Sequence, residues 1–251
     1  MLGVVALRNI KMLVEYDGTA YAGFQRQAAG LRTIQGEIED RLASLTGERV
    51  TLYGAGRTDA GVHALGQVIN FHTACSIPAA RFVPALNNGL PDDIAILDSA
   101  EVPEDFHARS SAKRKTYSYR IWRSARKPVF ERHTVYRYAH QLDIKMMLRA
   151  VPHLLGEHDF SCFQAIGAKV KTNTRVIHEA VLEEEGDLLV FTVTADGFLY
   201  KMVRNIAGTL LEIGIGKHTG DWLIELLQSR QRSLAGPTAP AEGLFLVRVD
   251  Y

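Results

Sequence analysis

Strand and helix patterns alternate through both halves of the chain, and this alternation constrains the fold more than any other feature. Residues 10–16 form an apolar strand pattern that ends at the turn pair Asp17-Gly18, and Thr33 then caps a helix with a regular apolar stripe. In the second half, residues 115–122 alternate like a strand and residues 198–213 carry a helical stripe. Because hairpin patterns occur among the strands, the sequence predicts an α+β fold with antiparallel sheets rather than a doubly wound parallel sheet.

The domain organisation is predicted from the length of the chain and from a short pattern that occurs twice in it, here called the echoed motif. A chain of 251 residues suits one large domain or two small ones. Residues 17–21 (Asp-Gly-Thr-Ala-Tyr) and residues 196–200 (Asp-Gly-Phe-Leu-Tyr) each follow a predicted strand, either by chance or because an α+β unit is duplicated with a site between the copies. We predict two α+β domains, residues 1–105 and 106–251.

The formal net charge of +1 hides an uneven distribution of charge. Residues 101–180 hold 15 basic and 8 acidic side chains, whereas the segments on either side of them are net acidic. Between residues 109 and 137, ten Lys or Arg side chains accompany one acid, Glu131. The interleaved aromatic residues are Tyr117, Tyr119, Trp122, Phe130, Tyr136 and Tyr138. This composition is typical of a surface that tracks phosphates and stacks on bases, or else of a solvated basic face whose aromatics, in part, belong to the core.

A glycine-containing loop between two predicted strands presents an aspartate. Residues 56–64 read Gly-Arg-Thr-Asp-Ala-Gly-Val-His-Ala, and glycines permit a close approach of the backbone. Arg57 stands two residues before Asp59 and favours its ionised form, which is a nucleophile or a base rather than an acid. The alternative is a loop in which Asp59 only caps a turn. The pattern of a phosphate-binding P-loop is absent.

This loop resembles the signature of the tRNA pseudouridine synthase A family. Four further segments, residues 16–25, 106–109, 198–206 and 241–246, resemble that family in order and spacing, so the resemblance extends over nearly the whole chain. It implies isomerisation of uridine to pseudouridine at positions 38, 39 and 40 of the tRNA anticodon stem-loop, by a homodimer that uses no cofactor and no metal. It also implies the pseudouridine synthase fold, with ferredoxin- or RRM-like halves and the active site in the cleft between them.

The resemblance implies roles for single residues. Asp59 matches the catalytic aspartate, Tyr117 the active-site tyrosine, and Arg204 the arginine that pairs with the aspartate. Arg57 matches a residue that helps to displace the flipped nucleotide, and Leu244 one that lines the uracil pocket. Whether the carboxylate attacks the ribose, attacks the uracil or abstracts a ribose proton stays open, but each route requires an ionised aspartate.

Four basic residues complete the predicted substrate-binding set: Arg109, Lys113, Arg114 and Lys115. A non-catalytic RNA-binding module of the same fold is an alternative, and it would not depend on the aspartate. A metal-dependent phosphodiesterase would need clustered carboxylates and histidines, which this sequence disperses.

Three remaining observations concern the compartment and one motif residue. Cys75 and Cys162 lie far apart, which predicts two buried free thiols in a reducing compartment. No apolar run approaches the ~20 residues of a membrane helix. We therefore expect a cytoplasmic protein. His63 belongs to the aspartate loop, and packing is at least as good an explanation for it as chemistry.

Overall fold

Two compact units make up the chain in a computed structural model, which describes residues 7–27, 30–167 and 170–251. One unit contains the described residues up to Ala112 together with Leu246–Tyr251, and the other contains Lys113–Phe245. Residues 106–112 and the C-terminal residues therefore differ in assignment from the predicted domains. The difference has a local cause, because the Tyr251 hydroxyl donates to the Ala108 carbonyl at 2.8 Å and joins the chain end to that segment.

The first unit combines antiparallel strands with two helices. In chain order its elements are β1 (Arg8–Tyr16), α1 (Ile34–Thr46), β2 (Tyr53–Gly54), β3 (His63–Thr73), α2 (Phe82–Asn87) and β4 (Ile94–Val102). β1 pairs antiparallel with both β3 and β4, and β2 pairs with β3. The predicted cap is confirmed, since Thr33 Oγ1 accepts the Gly36 N–H at 3.2 Å. Of the predicted stripe of Ile34, Ile38, Leu42 and Leu45, α1 buries the first three, and Leu45 is half-buried.

The second unit repeats the mixture of antiparallel strands and helices. Its elements are β5 (Arg114–Trp122), β6 (Tyr136–Arg137), α3 (Ile144–Ala150), β7 (Gly156–Asp159), β8 (Thr174–Glu185), β9 (Leu188–Ala195), α4 (Met202–Gly214) and α5 (Trp222–Ser229). β9 pairs antiparallel with β5 and β8, and β8 pairs with β7. The short β6 is parallel to β5. The final strand, β10 (Leu244–Asp250), begins in this unit and continues in the first.

The predicted α+β class with mainly antiparallel sheets is confirmed. The echoed motifs lie at corresponding places, because Asp17 directly follows β1 and Asp196 directly follows β9. The predicted helical stripe from residue 198 begins too early, since α4 begins at Met202. Lys201 has φ +58°, outside the helical region, so Phe198, the first residue of the stripe, lies in an irregular segment before the helix.

Two expectations from composition have different outcomes. Both cysteines are free thiols, but the prediction that both are buried is wrong for Cys75, which is half-buried, whereas Cys162 is buried. Burial raises the pKa of Cys162 to about 12. None of the helices in the described parts of the chain is long and apolar enough to cross a membrane.

Candidate active site

Asp59 lies in the loop that joins β2 to β3, in the first unit. Its side chain is half-buried, between the exposed Arg57 and the exposed Ala60. The Asp59 carbonyl accepts the Val62 N–H at 3.1 Å and closes a turn, and Gly61 within that turn has φ +77°. The left-handed conformation explains why a glycine follows the aspartate at this spacing. The loop therefore holds the aspartate in a defined turn at the end of a sheet.

The segment after β1 supports the aspartate loop through two glycines. A Cβ at Gly18 would lie 2.0 Å from the Val62 carbonyl oxygen, so only a glycine fits there. Gly23 has φ +104°, and a Cβ there would lie 2.8 Å from the Thr58 carbonyl oxygen. The next residue, Phe24, donates its N–H to that same carbonyl at 3.0 Å. This close packing explains why the segment from 16 to 25 and the aspartate loop occur together.

A buried polar network supports the loop from the sheet. The Tyr16 hydroxyl and Thr58 Oγ1 are 2.8 Å apart. The Gln67 side chain donates to the Gly56 carbonyl at 2.7 Å and accepts the Gly56 N–H at 3.3 Å. The sequence reasoning missed Tyr16 and Gln67. The available signal was a glutamine at the start of an otherwise apolar strand pattern.

His63 is 1% exposed and joins the end of the loop to the turn after β1. Its Nδ1 lies 3.1 Å from the Gly18 nitrogen and 3.0 Å from Asp17 Oδ1. One ring nitrogen cannot accept a hydrogen bond and donate one. Nδ1 accepts the Gly18 N–H when the ring carries its hydrogen on Nε2, and it donates to Asp17 when Nδ1 itself carries a hydrogen.

Tyr117 lies on β5 in the second unit, opposite Val193 of β9. Its side chain is 8% exposed, and its ring packs edge-on against Phe198 with the centroids 5.0 Å apart. Phe198 belongs to the second copy of the echoed motif. Two positions further along β5, Tyr119 is fully buried and donates its hydroxyl to the Pro240 carbonyl at 2.8 Å. The two tyrosines therefore differ, since only Tyr117 retains some exposed surface.

Arg204 is half-buried on the first turn of α4. Its Nε donates to the Ala239 carbonyl at 2.8 Å, and the Ala239 N–H donates to the Arg204 carbonyl at 3.1 Å. The first bond fixes the direction of the side chain, and the second joins the backbone of this turn to Ala239. Lys201 lies three residues earlier but does not share this helix face, because it precedes the helix and places its ammonium 5.0 Å from the ring centre of Tyr200. Leu244 is 7% exposed at the start of β10.

The predicted tRNA-binding residues differ in exposure. Arg109, Lys113 and Arg114 are exposed, and Lys115 is half-buried. Part of the basic segment is neutralised within the second unit: Arg123 lies 2.8 Å from Glu184, and Arg126 lies 3.0 Å from Asp187. The charge that faces solvent is therefore smaller than the count of basic residues implies.

The aromatic residues of the basic segment divide by burial. Tyr117, Tyr119 and Trp122 are buried, so the strand aromatics belong to the core on both faces of β5. Phe130 is 92% exposed. Among the described residues, no group of three or more His, Cys, Asp or Glu is arranged as metal ligands would be.

Comparison with known proteins gives matches over most of the chain. A family model described as tRNA pseudouridine synthase matches residues 12–109 and 150–251. The tRNA pseudouridine synthase A of Acetivibrio thermocellus is 51% identical over 245 residues, which is 98% of this chain and 100% of that protein. The protein of the same name from Clostridium acetobutylicum is 45% identical over the same shares. That of Halalkalibacterium halodurans is 47% identical over 95% of this chain and 90% of its own.

Proposed function

Because this chain belongs to the tRNA pseudouridine synthase family, a family of isomerases that act on tRNA, we propose that it converts uridine to pseudouridine at positions 38, 39 and 40 of the anticodon stem-loop. One observation carries the proposal to a residue: Asp59 is half-buried in a turn whose backbone is held from both the sheet and the segment after β1. A fixed, partly desolvated carboxylate suits nucleophilic or basic catalysis.

The proposed reaction rearranges bonds within one nucleotide. The bond between N1 of uracil and C1′ of ribose breaks, the base turns, a bond forms between C5 and C1′, and the proton on C5 is lost while N1 gains one. Asp59 acts as an ionised carboxylate, by attack on C1′, by attack on C6 of uracil, or by abstraction of a ribose proton. Each route conserves the atoms of the nucleotide and requires no oxidant or reductant.

Tyr117, Leu244 and Arg204 supply the other proposed functions. The Tyr117 ring, backed by Phe198, offers an aromatic face for an extruded uracil, and its hydroxyl is suited to moving the C5 proton. Leu244 offers an apolar wall that excludes water. For Arg204 we propose the role of pairing with the catalytic carboxylate. The observation that supports this role is that the Ala239 carbonyl accepts a hydrogen bond from the Arg204 guanidinium and fixes its direction.

Basic side chains on the surface account for tRNA binding in this proposal. Arg57 is exposed and stands two residues from Asp59, as a side chain that displaces a flipped nucleotide must. Contacts to the phosphates come from Arg109, Lys113, Arg114 and Lys115. We further propose a homodimer, located in the cytoplasm together with its tRNA substrate.

Mapping of the modified positions tests the proposed specificity. The enzyme is incubated with unmodified tRNAs that carry uridine at position 38, 39 or 40, and pseudouridine is located by carbodiimide-dependent reverse-transcription stops. We expect stops at these three positions and at no other uridine. Pseudouridine confined to another part of the tRNA would overturn the specificity, and tRNA binding without any pseudouridine would favour a non-catalytic RNA-binding module instead.

A further inference from the structure

We propose that Tyr16, Thr58 and Gln67 are positioning residues for the Asp59 carboxylate, acting through the backbone of its loop and not on the substrate. The inference rests on the proposed catalytic role of Asp59. It adds Tyr16 and Gln67, which lie outside the loop itself, and the hydrogen bonds of the first unit carry it.

Gln67 fixes the start of the loop. It lies on β3 and is fully buried, and its amide group accepts the Gly56 N–H and donates to the Gly56 carbonyl. A side-chain amide that satisfies both polar groups of one residue acts as a strand partner would for that residue. Gly56 stands three residues before Asp59, so these two hydrogen bonds anchor the chain where it leaves the sheet.

The hydrogen bond between Tyr16 and Thr58 fixes Thr58, which is the residue directly before the aspartate. Both are buried, and the second N–H of Gln67 points at the Tyr16 oxygen across a longer distance of 3.5 Å. The Tyr16 oxygen thus lies between this amide and Thr58 Oγ1, with which it shares a hydrogen bond that either hydroxyl can donate. Burial raises the pKa of Tyr16 to about 12, so the hydroxyl keeps its hydrogen at neutral pH.

An irregularity in the sheet accompanies this arrangement. Val14 is paired with Gln67 and Tyr16 with Ala64. Two residues of β3 therefore lie opposite one residue of β1, so β3 contains one extra residue. Such a bulge bends the strand and redirects side chains, and bulges are frequent next to active sites. Directly paired residues share a face of the sheet, so Gln67 lies on the face of Val14, and Tyr16, two residues after Val14, points to that same face.

The other contacts of the loop complete its fixation. The Thr58 carbonyl accepts the Phe24 N–H, and the Asp59 carbonyl accepts the Val62 N–H. From residue 56 to residue 59, every residue except Arg57 thus has a hydrogen bond described here. Holding a reacting group in its productive geometry lowers the entropic part of the barrier, and a displacement of about 1 Å can cost roughly 100-fold in rate.

Four substitutions and one control test the proposal. Tyr16→Phe, Thr58→Val and Gln67→Met each remove a polar group with little change of shape, and Thr58→Ser restores the hydroxyl. Tyr251→Phe is the matched control, because it removes one tyrosine hydrogen bond in the same unit, to Ala108. For each enzyme we measure the single-turnover rate constant of pseudouridine formation at saturating enzyme, the Kd for tRNA and the urea midpoint.

We expect the first three variants to lower the rate constant by about 10- to 100-fold with an unchanged Kd. Thr58→Ser and Tyr251→Phe keep the wild-type rate constant. Since Tyr16→Phe and Thr58→Val remove the same hydrogen bond, the double variant is no slower than the slower single variant. A merely structural role would lower the urea midpoint without lowering the rate constant selectively at an unchanged Kd.

Wild-type rate constants for folded Tyr16→Phe and Thr58→Val would overturn the inference, and Tyr16→Phe alone decides the matter if Gln67→Met does not fold. Asp59→Asn is measured alongside. If it is inactive while the network variants are fully active, only the positioning role fails. If it is fully active, the proposed function of Asp59 fails as well.

Discussion

Replacement of Gly18 by alanine perturbs the aspartate loop by a single methyl group. That carbon would lie 2.0 Å from the Val62 carbonyl oxygen, and ordinary contact begins at 3.4 Å, so the two segments must separate by about 1.4 Å. Val62 closes the turn on Asp59 at 3.1 Å, which means that the displacement reaches the aspartate. We expect a loss of about 1–3 kcal/mol in the free energy of unfolding and of roughly 100-fold in the single-turnover rate constant.

The echoed motif supplies a matched control for this prediction. Gly197 stands at the corresponding position after β9, and a Cβ there would meet nothing closer than the Arg175 side chain at 3.5 Å. We expect Gly197→Ala to keep the wild-type stability and rate. The assays are urea denaturation and single-turnover pseudouridine formation. Gly18→Ala with wild-type stability and rate would refute the close-packing argument, and a loss of stability without a loss of rate would refute its extension to Asp59.

Three further predictions concern binding, pH and thiol reactivity. Arg114→Ala weakens tRNA binding and lowers the dependence of log K on log salt by about 1, with an unchanged rate constant at saturation, as filter binding at several salt concentrations will show. The raised pKa of Tyr16 contributes stability that is complete below pH 10 and is lost as the pH rises to about 12. The decline in the free energy of unfolding over that interval is therefore shallower in Tyr16→Phe, by up to about 1.4 kcal/mol per pH unit. Iodoacetamide at pH 8 labels Cys75 but not Cys162 in the native enzyme, and both after unfolding, as peptide mass spectrometry will detect.

Local signals in the sequence predicted the elements that depend on neighbours in the chain. The Thr33 cap and the apolar stripe of α1 are of this kind, because side-chain caps and helical stripes involve residues three or four apart. The start of α4 was misjudged for a related reason. The apolar stripe continues through Phe198, and nothing in it signals the positive φ at Lys201 that delays the helix.

Features that depend on distant residues were outside the reach of these patterns. The pair of Tyr16 and Thr58 joins residues 42 positions apart, and the bond from Tyr251 to Ala108 joins residues 143 positions apart. Neither contact produces a periodic pattern of residue types that could be recognised in the sequence. Asp59 itself was found through its motif, but the reason for the glycines at 18 and 23 required the packed backbone.

The central claim is that the Asp59 carboxylate performs the chemistry. Its most direct test is tritium release from tRNA labelled at C5 of uridine, with wild type and Asp59→Asn compared at equal tRNA occupancy. Asparagine keeps the size of the side chain and removes its negative charge. We predict that Asp59→Asn binds tRNA as the wild type does and releases no tritium. Release at the wild-type rate by Asp59→Asn would contradict the claim.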